Sequence, residues 1–284
     1  MLLLGLNLLA LQQNANSEPG EIIAESGTLV LLGSSATDIT LAADSAVQTR
    51  QGIKTGAQKI FQIGKFAACA LLRSSAIEYL GRSGKVEDTA NFVGIIRLWA
   101  STHPSVSVTD ANDSLFSLLS KEFKRFYSNH HTGVEVKTPI LLTLVCVGYS
   151  FGVPLAFVTT FAGSMENKDF EPSVNKASWA LPPSMFGPLG EKQVCEDVLH
   201  GSSPGLDKYR QTESVQKYRN LQATKSKLYR LSADDLIQLS MTCLRATESA
   251  AGRKFDKGAF LVAAPNHYVV ISSMDGFREL PRPH

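Results

Sequence analysis

Short apolar runs separated by polar turns open the patterned part of the chain. Runs 28–33 and 38–43 flank the polar turn 34–37, an arrangement typical of a hairpin between two buried strands. Runs 58–63 and 66–72 repeat this arrangement across a second short turn. The pattern therefore predicts two successive antiparallel hairpins.

Helical spacing of apolar positions replaces this pattern further along the chain. Leu115, Leu119 and Phe123 lie on one face of an amphipathic helix, which predicts that this face packs against the core. Ser232 and Asp235 have the spacing of a capping box, which predicts that another helix starts there. The predicted helices cover 74–80, 89–100, 111–127, 190–200 and 232–252.

Two further pairs of apolar runs predict more antiparallel strands, at 139–149 with 154–160 and at 259–264 with 267–272. The order is strands, helices, strands, helices, strands, which differs from the regular alternation of a parallel βαβ sheet. The fold class is therefore predicted to be α+β, with antiparallel sheets covered by helices.

The composition is that of a globular protein of one large or two modest domains. The chain has 284 residues, of which 44% are hydrophobic and 19% charged. These values exclude disordered, collagen-like and coiled-coil classes. The cysteines and histidines lack the spacings of metal ligands or of a redox pair, and nucleotide-binding glycine motifs are absent. We therefore expect no metal and no cofactor.

The N-terminal segment 1–27 differs from the rest of the chain. Residues 1–11 are apolar, but a membrane-spanning helix needs roughly 20 such residues, so no membrane span is expected. The segment contains three glutamates and no lysine or arginine, whereas a secretory signal begins with positive charge. We expect a removable pro-segment, or an extension from a start codon placed too early, on a cytoplasmic protein. Export is the alternative, if residues 1–17 act as a signal.

Basic residues are concentrated in the segment 201–231. Residues 207–230 hold seven lysines and arginines against two acidic residues. Such a run is usually a solvated face, and contact with a partner or a neighbouring subunit is the alternative. Nucleic acid is not an expected partner, because the net charge is only +2 and no stacking platform is evident. We predict that this segment is an insert outside the packed layers.

Three residues near the predicted hairpins have chemistry that fits together. Thr28 begins the first predicted strand, Asp44 ends the second, and Lys59 follows 15 residues after Asp44. A threonine hydroxyl becomes nucleophilic when a base removes its proton, and the free α-amine of a terminal threonine is such a base, with a pKa of about 7.7–8. Cleavage between Gly27 and Thr28 would create that amine. Lys59 would lower the pKa of the amine, and Asp44 would hold the Lys59 ammonium group in place.

The segment GTLVLLGSSATDITLAADSAVQTRQGIKTGAQKIFQIG, residues 27–64, resembles the proteasome β-subunit family of N-terminal nucleophile hydrolases, in its bacterial form. Thr28 and Asp44 fit the family spacing without a gap, and Lys59 fits with one deletion. The resemblance implies a four-layer αββα sandwich formed by residues 28–284 as a single domain.

The resemblance also implies an activity and an assembly. The activity is that of a threonine-type peptidase or amidohydrolase that acts through Thr28 after residues 1–27 are removed. The assembly is a self-compartmentalised ring of identical subunits that encloses polypeptide substrates. An ATP-dependent unfoldase is an optional partner that nothing in this sequence encodes.

The sequence departs from the family pattern at three supporting positions. Arg73 is the nearest equivalent of a glycine whose backbone N–H stabilises the oxyanion. Gly190 is the best match to a supporting serine, and Glu248 to a supporting aspartate. The loss of one such donor costs about two to three decades in rate. Two alternatives to an active peptidase therefore stay open: a catalytically silent ring or scaffold subunit, and a small-molecule amidase with the same type of nucleophile.

Overall fold

Two antiparallel sheets and six helices make up the part of the chain that the computed structural model describes, which covers residues 21–27, 29–49, 52–81, 83–130, 140–163, 173–190, 193–224, 230–251 and 264–281. The strands are β1 (Glu21–Gly27), β2 (Leu29–Ser34), β3 (Asp38–Ala43), β4 (Val47–Thr49), β5 (Gly52–Lys54), β6 (Ile60–Gly64), β7 (Ala67–Leu80), β8 (Val86–Asn91), β9 (Ile140–Ser150), β10 (Val153–Gly163), β11 (Ser173–Ala180), β12 (Met185–Gly190), β13 (His267–Ser272) and β14 (Gly276–Glu279). The helices are α1 (Phe92–Thr102), α2 (Val108–His130), α3 (Gln193–Leu199), α4 (Asp207–Arg210), α5 (Glu213–Thr224) and α6 (Ala233–Ala251).

The first sheet contains nine strands and the second contains five. The first follows the path β11-β10-β9-β7-β1-β4-β5, with β6 and β8 also paired to β7. The second has the order β12-β2-β3-β13-β14. The strand pairs in both sheets are antiparallel. The predicted α+β class is therefore confirmed. The chain passes from the first sheet to the second between Gly27 and Leu29.

The alternation of side chains along β7 shows how the layers pack. Ala68, Ala70 and Leu72 pack in an apolar cluster between the two sheets. Cys69 and Leu71 point the other way and pack with α1 and α2. Helices α3 to α6 cover the outer face of the second sheet in a third cluster. The packing order is thus helices, sheet, sheet, helices.

Several local predictions are confirmed. The first predicted hairpin corresponds to β2 and β3, and the strands predicted at 139–149 and 154–160 correspond to β9 and β10. At the start of α6, the Asp235 N–H donates to Ser232 Oγ at 3.1 Å, and the Ser232 N–H donates to Asp235 Oδ2 at 2.8 Å. This reciprocal pair of bonds is the predicted capping box.

The predicted helix 74–80 is wrong, because these residues form the second half of strand β7. This half pairs with β1 along one edge and with β8 along the other. Ile77 and Leu80 are three residues apart, a spacing that also suits a helix, but tertiary pairing on both edges overrides so weak a local preference. The predicted helix 89–100 is displaced for the same reason, since β8 occupies its first residues and α1 begins only at Phe92.

Two other predicted elements differ from the structure or fall outside it. The predicted helix 190–200 is confined to α3, and Gly190 ends strand β12 with a positive φ of 87°. Glycine adopts a positive φ without steric cost. Residues 259–263 of the predicted strand 259–264 lie outside the described residues.

The basic segment 201–231 contributes to the core, which corrects the prediction of an insert outside the packed layers. Leu206, Val215, Tyr218 and Leu231 are buried in the same cluster as the apolar face of α6. The burial of these apolar side chains stabilises the domain. Removal of the segment would expose the outer face of the second sheet.

Several basic side chains of this segment also bind neighbouring backbone. Arg219 Nε donates to the Leu199 carbonyl at 2.8 Å, and its Nη2 donates to the carbonyls of Val198 and Gly201, each at 3.1 Å. The Val198 and Leu199 carbonyls belong to the C-terminal end of α3, where intrahelical donors run out and a cation is favourable, and Gly201 lies two residues beyond that end. The run of basic residues suggested a solvated face. A sequence pattern does not reveal that some of these side chains donate hydrogen bonds to the carbonyls at the end of a helix.

Candidate active site

Asp44 and Lys59 form a buried ion pair between the two sheets. Asp44 follows strand β3 and Lys59 precedes strand β6, so each lies where a strand ends or begins. Lys59 Nζ donates to Asp44 Oδ2 at 2.8 Å, and the side chains are only 5% and 0% exposed, respectively. The expectation from the sequence that Asp44 holds the Lys59 ammonium group is thus met by a direct ion pair at two strand ends.

Backbone donors complete the environment of the Asp44 carboxylate. The Leu29 N–H donates to Oδ1 at 3.2 Å, and the Ala46 N–H donates to Oδ2 at 3.0 Å. Asp44 thus links the Lys59 ammonium group to the backbone of the residue that directly follows Thr28. A carboxylate with this many donors is held in one position.

Burial shifts the protonation of both partners. Desolvation lowers the pKa of Lys59 below its ordinary value, although attraction to Asp44 partly opposes this. Desolvation also raises the pKa of Asp44, against the effects of Lys59 and of the two backbone donors. A buried pair of this kind adds little net stability, because desolvation cancels most of its attraction. Perturbed groups beside a cleft are typical of functional sites.

Thr28 itself lies outside the described residues, but both of its neighbours are described. Gly27 is the last residue of β1 and lies opposite Arg73 in β7. Leu29 is the first residue of β2 and lies opposite Gly190 in β12. The chain therefore crosses from the first sheet to the second between Gly27 and Leu29, and Leu29 is the residue whose N–H binds Asp44.

Strand β1 is the part of this region that the sequence did not predict. Its residues 21–27, expected only to be a removable leader, pair with β7 over their whole length, and Ser26 also pairs with Gln48 of β4. Strand β1 thus lies between β7 and β4 in the first sheet. The partners on β7 lie about fifty residues away in sequence, so no local pattern could have identified this pairing.

Arg73 adopts a backbone conformation that favours glycine. Its φ is 68°, in the αL region, where a side chain costs roughly 1 kcal/mol. The resemblance aligned Arg73 with a family glycine, and the unusual φ gives that alignment a physical basis. The Arg73 side chain is exposed and lines a cleft beside β7.

Gly190 and Glu248 do not join Asp44 and Lys59 through any contact among the described residues. Gly190 reaches the region only through its backbone, as the partner of Leu29. Glu248 is exposed on α6, and its Oε1 accepts a bond from the Ala264 N–H at 3.4 Å. Their predicted supporting roles therefore remain predictions.

The cleft beside β7 has a volume of about 350 Å³. It is lined by Lys59 and Arg73, and by three residues that the sequence did not single out, Lys54, Glu78 and Arg97. These residues come from β5, β7 and α1, and their convergence depends on tertiary structure. Within the described ranges, no cluster of His, Cys, Asp and Glu could hold a metal ion. The helices described there include none long and apolar enough to cross a membrane.

Comparisons with known proteins show the fold. Neither family models nor curated proteins give a match for this chain. Among solved structures, the chain is similar to one described as the helical assembly of the Anbu complex from Pseudomonas aeruginosa. That similarity covers 89% of this chain and 86% of the other, with 13% sequence identity and a TM-score of 0.53. At this low identity, the two chains share a fold.

Proposed function

We propose that this protein is a threonine-type peptidase of the N-terminal nucleophile hydrolase class, in which Thr28 becomes the nucleophile after residues 1–27 are removed. The observation that carries the proposal is the buried pair of Lys59 and Asp44, which is bonded to the backbone of Leu29, the residue after Thr28. The chain also shares the fold of a subunit of the Anbu complex, and the proposed class is compatible with that fold.

Each residue of the set has a distinct role in the proposed reaction. The Thr28 hydroxyl oxygen attacks the substrate carbonyl, its proton passes to the α-amine, and the leaving amine of the substrate takes up that proton. Water then hydrolyses the ester and restores the threonine. Lys59 lies beside the nucleophile as a cation that favours the alkoxide, and Asp44 positions Lys59.

The leader strand indicates how a substrate binds. Strand β1 occupies an edge of β7 as an antiparallel strand and ends at the bond between Gly27 and Thr28. When the leader is removed, this edge exposes backbone donors and acceptors that an extended peptide satisfies by strand addition. A polypeptide substrate therefore fits the site better than a compact small molecule does.

Mass measurement and substitution of Thr28 test the proposal. Purified wild-type protein should lose residues 1–27, and Thr28→Ala should keep them and hydrolyse nothing. Thr28→Ser should retain partial activity, because the hydroxyl and the amine both remain. Processing of Thr28→Ala between residues 27 and 28 at the wild-type rate would show that the nucleophile is assigned incorrectly.

A catalytically silent subunit is the second candidate, and the position of Glu248 favours it. This carboxylate is exposed and accepts a bond from the Ala264 backbone, and within the described part of the chain it does not bond to Lys59 or Asp44. A protein that keeps its leader and cleaves no peptide would support this candidate. Cleavage of small amides but not of peptides would instead support a small-molecule amidase.

We also propose that identical subunits of this protein assemble. The Anbu complex with the same fold forms a helical assembly, whereas the sequence resemblance implies a closed ring. Closed symmetry gives one fixed size, whereas an open helix grows with concentration. Light scattering over a range of protein concentrations separates these forms, and a monomer at micromolar concentration would contradict both.

A further inference from the structure

We propose that the cleft beside β7 selects substrates with an acidic side chain, Asp or Glu, immediately before the cleaved bond. The proposal rests on the function proposed above, since it names the substrate class of that site. It is carried by the position of the cleft relative to Gly27 and by the charge of the residues that line it.

The register of β1 identifies which substrate residue meets the cleft. Gly27 precedes the proposed cleavage point and lies directly opposite Arg73. Residues directly opposite each other in an antiparallel pair direct their side chains to the same face. Arg73 lines the cleft, so a substrate residue in the register of Gly27 directs its side chain toward the cleft as well. Glycine itself has no side chain there.

The charges around the cleft favour an anion. Its lining contains four cations, Lys54, Lys59, Arg73 and Arg97, and one carboxylate, that of Glu78. Lys59 is neutralised by its partner outside the lining, which leaves three cations against one anion. Among the described residues, no ion pair joins a carboxylate to Lys54, Arg73 or Arg97. A substrate carboxylate would supply the missing countercharge.

Arg97 is held in position before any substrate arrives. Its Nη2 donates to Gln58 Oε1 at 2.9 Å, and its guanidinium carbon lies 5.8 Å from the centroid of the Phe61 ring. These two contacts restrict the side chain, so less conformational entropy is lost when it binds an anion. Leu71 and Val93 add apolar walls to the cleft.

The first test compares peptide substrates that differ only in the residue before the cleaved bond. We expect kcat/KM for Asp and Glu to exceed that for the isosteric Asn and Gln by about tenfold. Arg97→Gln should reduce this ratio toward one, and Glu78→Gln should increase it. Arg278→Gln removes an exposed arginine of β14 and should leave the ratio unchanged. A preference for Leu or Lys, or equal rates for acids and amides, would overturn the proposal.

The second test needs no catalysis, so its failure is distinguishable from failure of the proposed peptidase function. In the full-length Thr28→Ala protein, Gly27→Glu, Gly27→Gln and Gly27→Lys place an acidic, a neutral or a basic side chain in the register opposite Arg73. We expect the folding equilibrium constant of Gly27→Glu to exceed that of Gly27→Gln by about twofold to fivefold, with Gly27→Lys lowest. Adding Arg97→Gln should shrink the difference between Glu and Gln. Equal stability of the acidic and amide variants would refute a cleft that selects acidic side chains, whether or not the protein is an active peptidase.

Discussion

Replacing Lys59 by methionine removes one charge of the buried pair while keeping a side chain of similar length. The Asp44 carboxylate is then left without its cation at a site where its side chain is 0% exposed. It keeps its two backbone donors, the N–H groups of Leu29 and Ala46. Breaking a buried pair costs about 3–5 kcal/mol, and the two remaining donors place the expected loss near the lower end of that range, about 3 kcal/mol.

The loss should depend on pH, because burial already raises the pKa of Asp44 and removal of Lys59 raises it further. A carboxyl group whose pKa is higher in the folded state than in the unfolded state favours folding when it is protonated. That contribution is present at low pH and is lost as the pH rises through the folded-state pKa. The deficit of Lys59→Met relative to wild type should therefore be larger at about pH 8 than at about pH 5.

Urea unfolding of three variants measures these effects. The double variant Asp44→Asn/Lys59→Met removes both charges and should recover at least half of the lost stability, but none of the peptidase activity. Lys217→Met is the control, because Lys217 pairs with Asp235 but its side chain is 39% exposed. This variant should lose less than about 1 kcal/mol of the free energy of unfolding. Recovery of stability without activity separates the packing of the pair from its role in catalysis.

Two outcomes would refute this reasoning. If the free energy of unfolding of Lys59→Met lies within about 1 kcal/mol of the wild-type value, the pair is accessible to water and the desolvation argument fails. If the same variant hydrolyses peptides within about tenfold of the wild-type rate, Lys59 has no part in the chemistry, since loss of a catalytic cation costs more than this.

Three further predictions concern residues outside the site. Hydrogen bonding to Arg125 lowers the pKa of Asp88 to about 2, so Asp88→Asn should lower the free energy of unfolding by about 1 kcal/mol at neutral pH. In urea titrations this difference should vanish as the pH falls from about 4 to about 2. Arg219→Ala should lower the free energy of unfolding by about 2 kcal/mol in the same assay, because three carbonyls lose their donor. Lys208 is exposed, and Lys208→Ala should leave the free energy of unfolding almost unchanged. Deletion of 207–224 with a short linker should abolish the cooperative thermal transition, since this segment covers part of the core.

The sequence predicted the elements whose partners are close in the chain. The strands β2 and β3 form a local hairpin, and the capping box at Ser232 involves a residue three positions away. The spacing of Asp44 and Lys59 was also informative, because each follows or precedes a strand in a local hairpin. Local contacts fix these features, and local patterns therefore report them.

The features that the sequence missed depend on distant partners. Residues 74–80 become a strand because β1 and β8 pair with their two edges, and residues 21–27 become a strand because they pair with β7. The cleft cations Lys54 and Arg97 converge only when β5 and α1 approach β7. Contacts of this kind leave no periodic signal in any one segment.

One edge of β7 links the leader, the cleft and the substrate of the proposed reaction. The leader pairs with this edge and ends opposite Arg73, so while it is bound it satisfies the backbone groups that a substrate strand would otherwise use. Removal of residues 1–27 would thus free the nucleophilic amine and the binding edge in a single event. An intact leader, conversely, would leave no free edge between β7 and β4, which are the two strands that it joins. Before residues 1–27 are removed, the same pairing would suppress the hydrolysis of substrates. It would also align the bond between residues 27 and 28 for cleavage, because β1 leads the chain toward Leu29, which is bonded to the Asp44 and Lys59 pair.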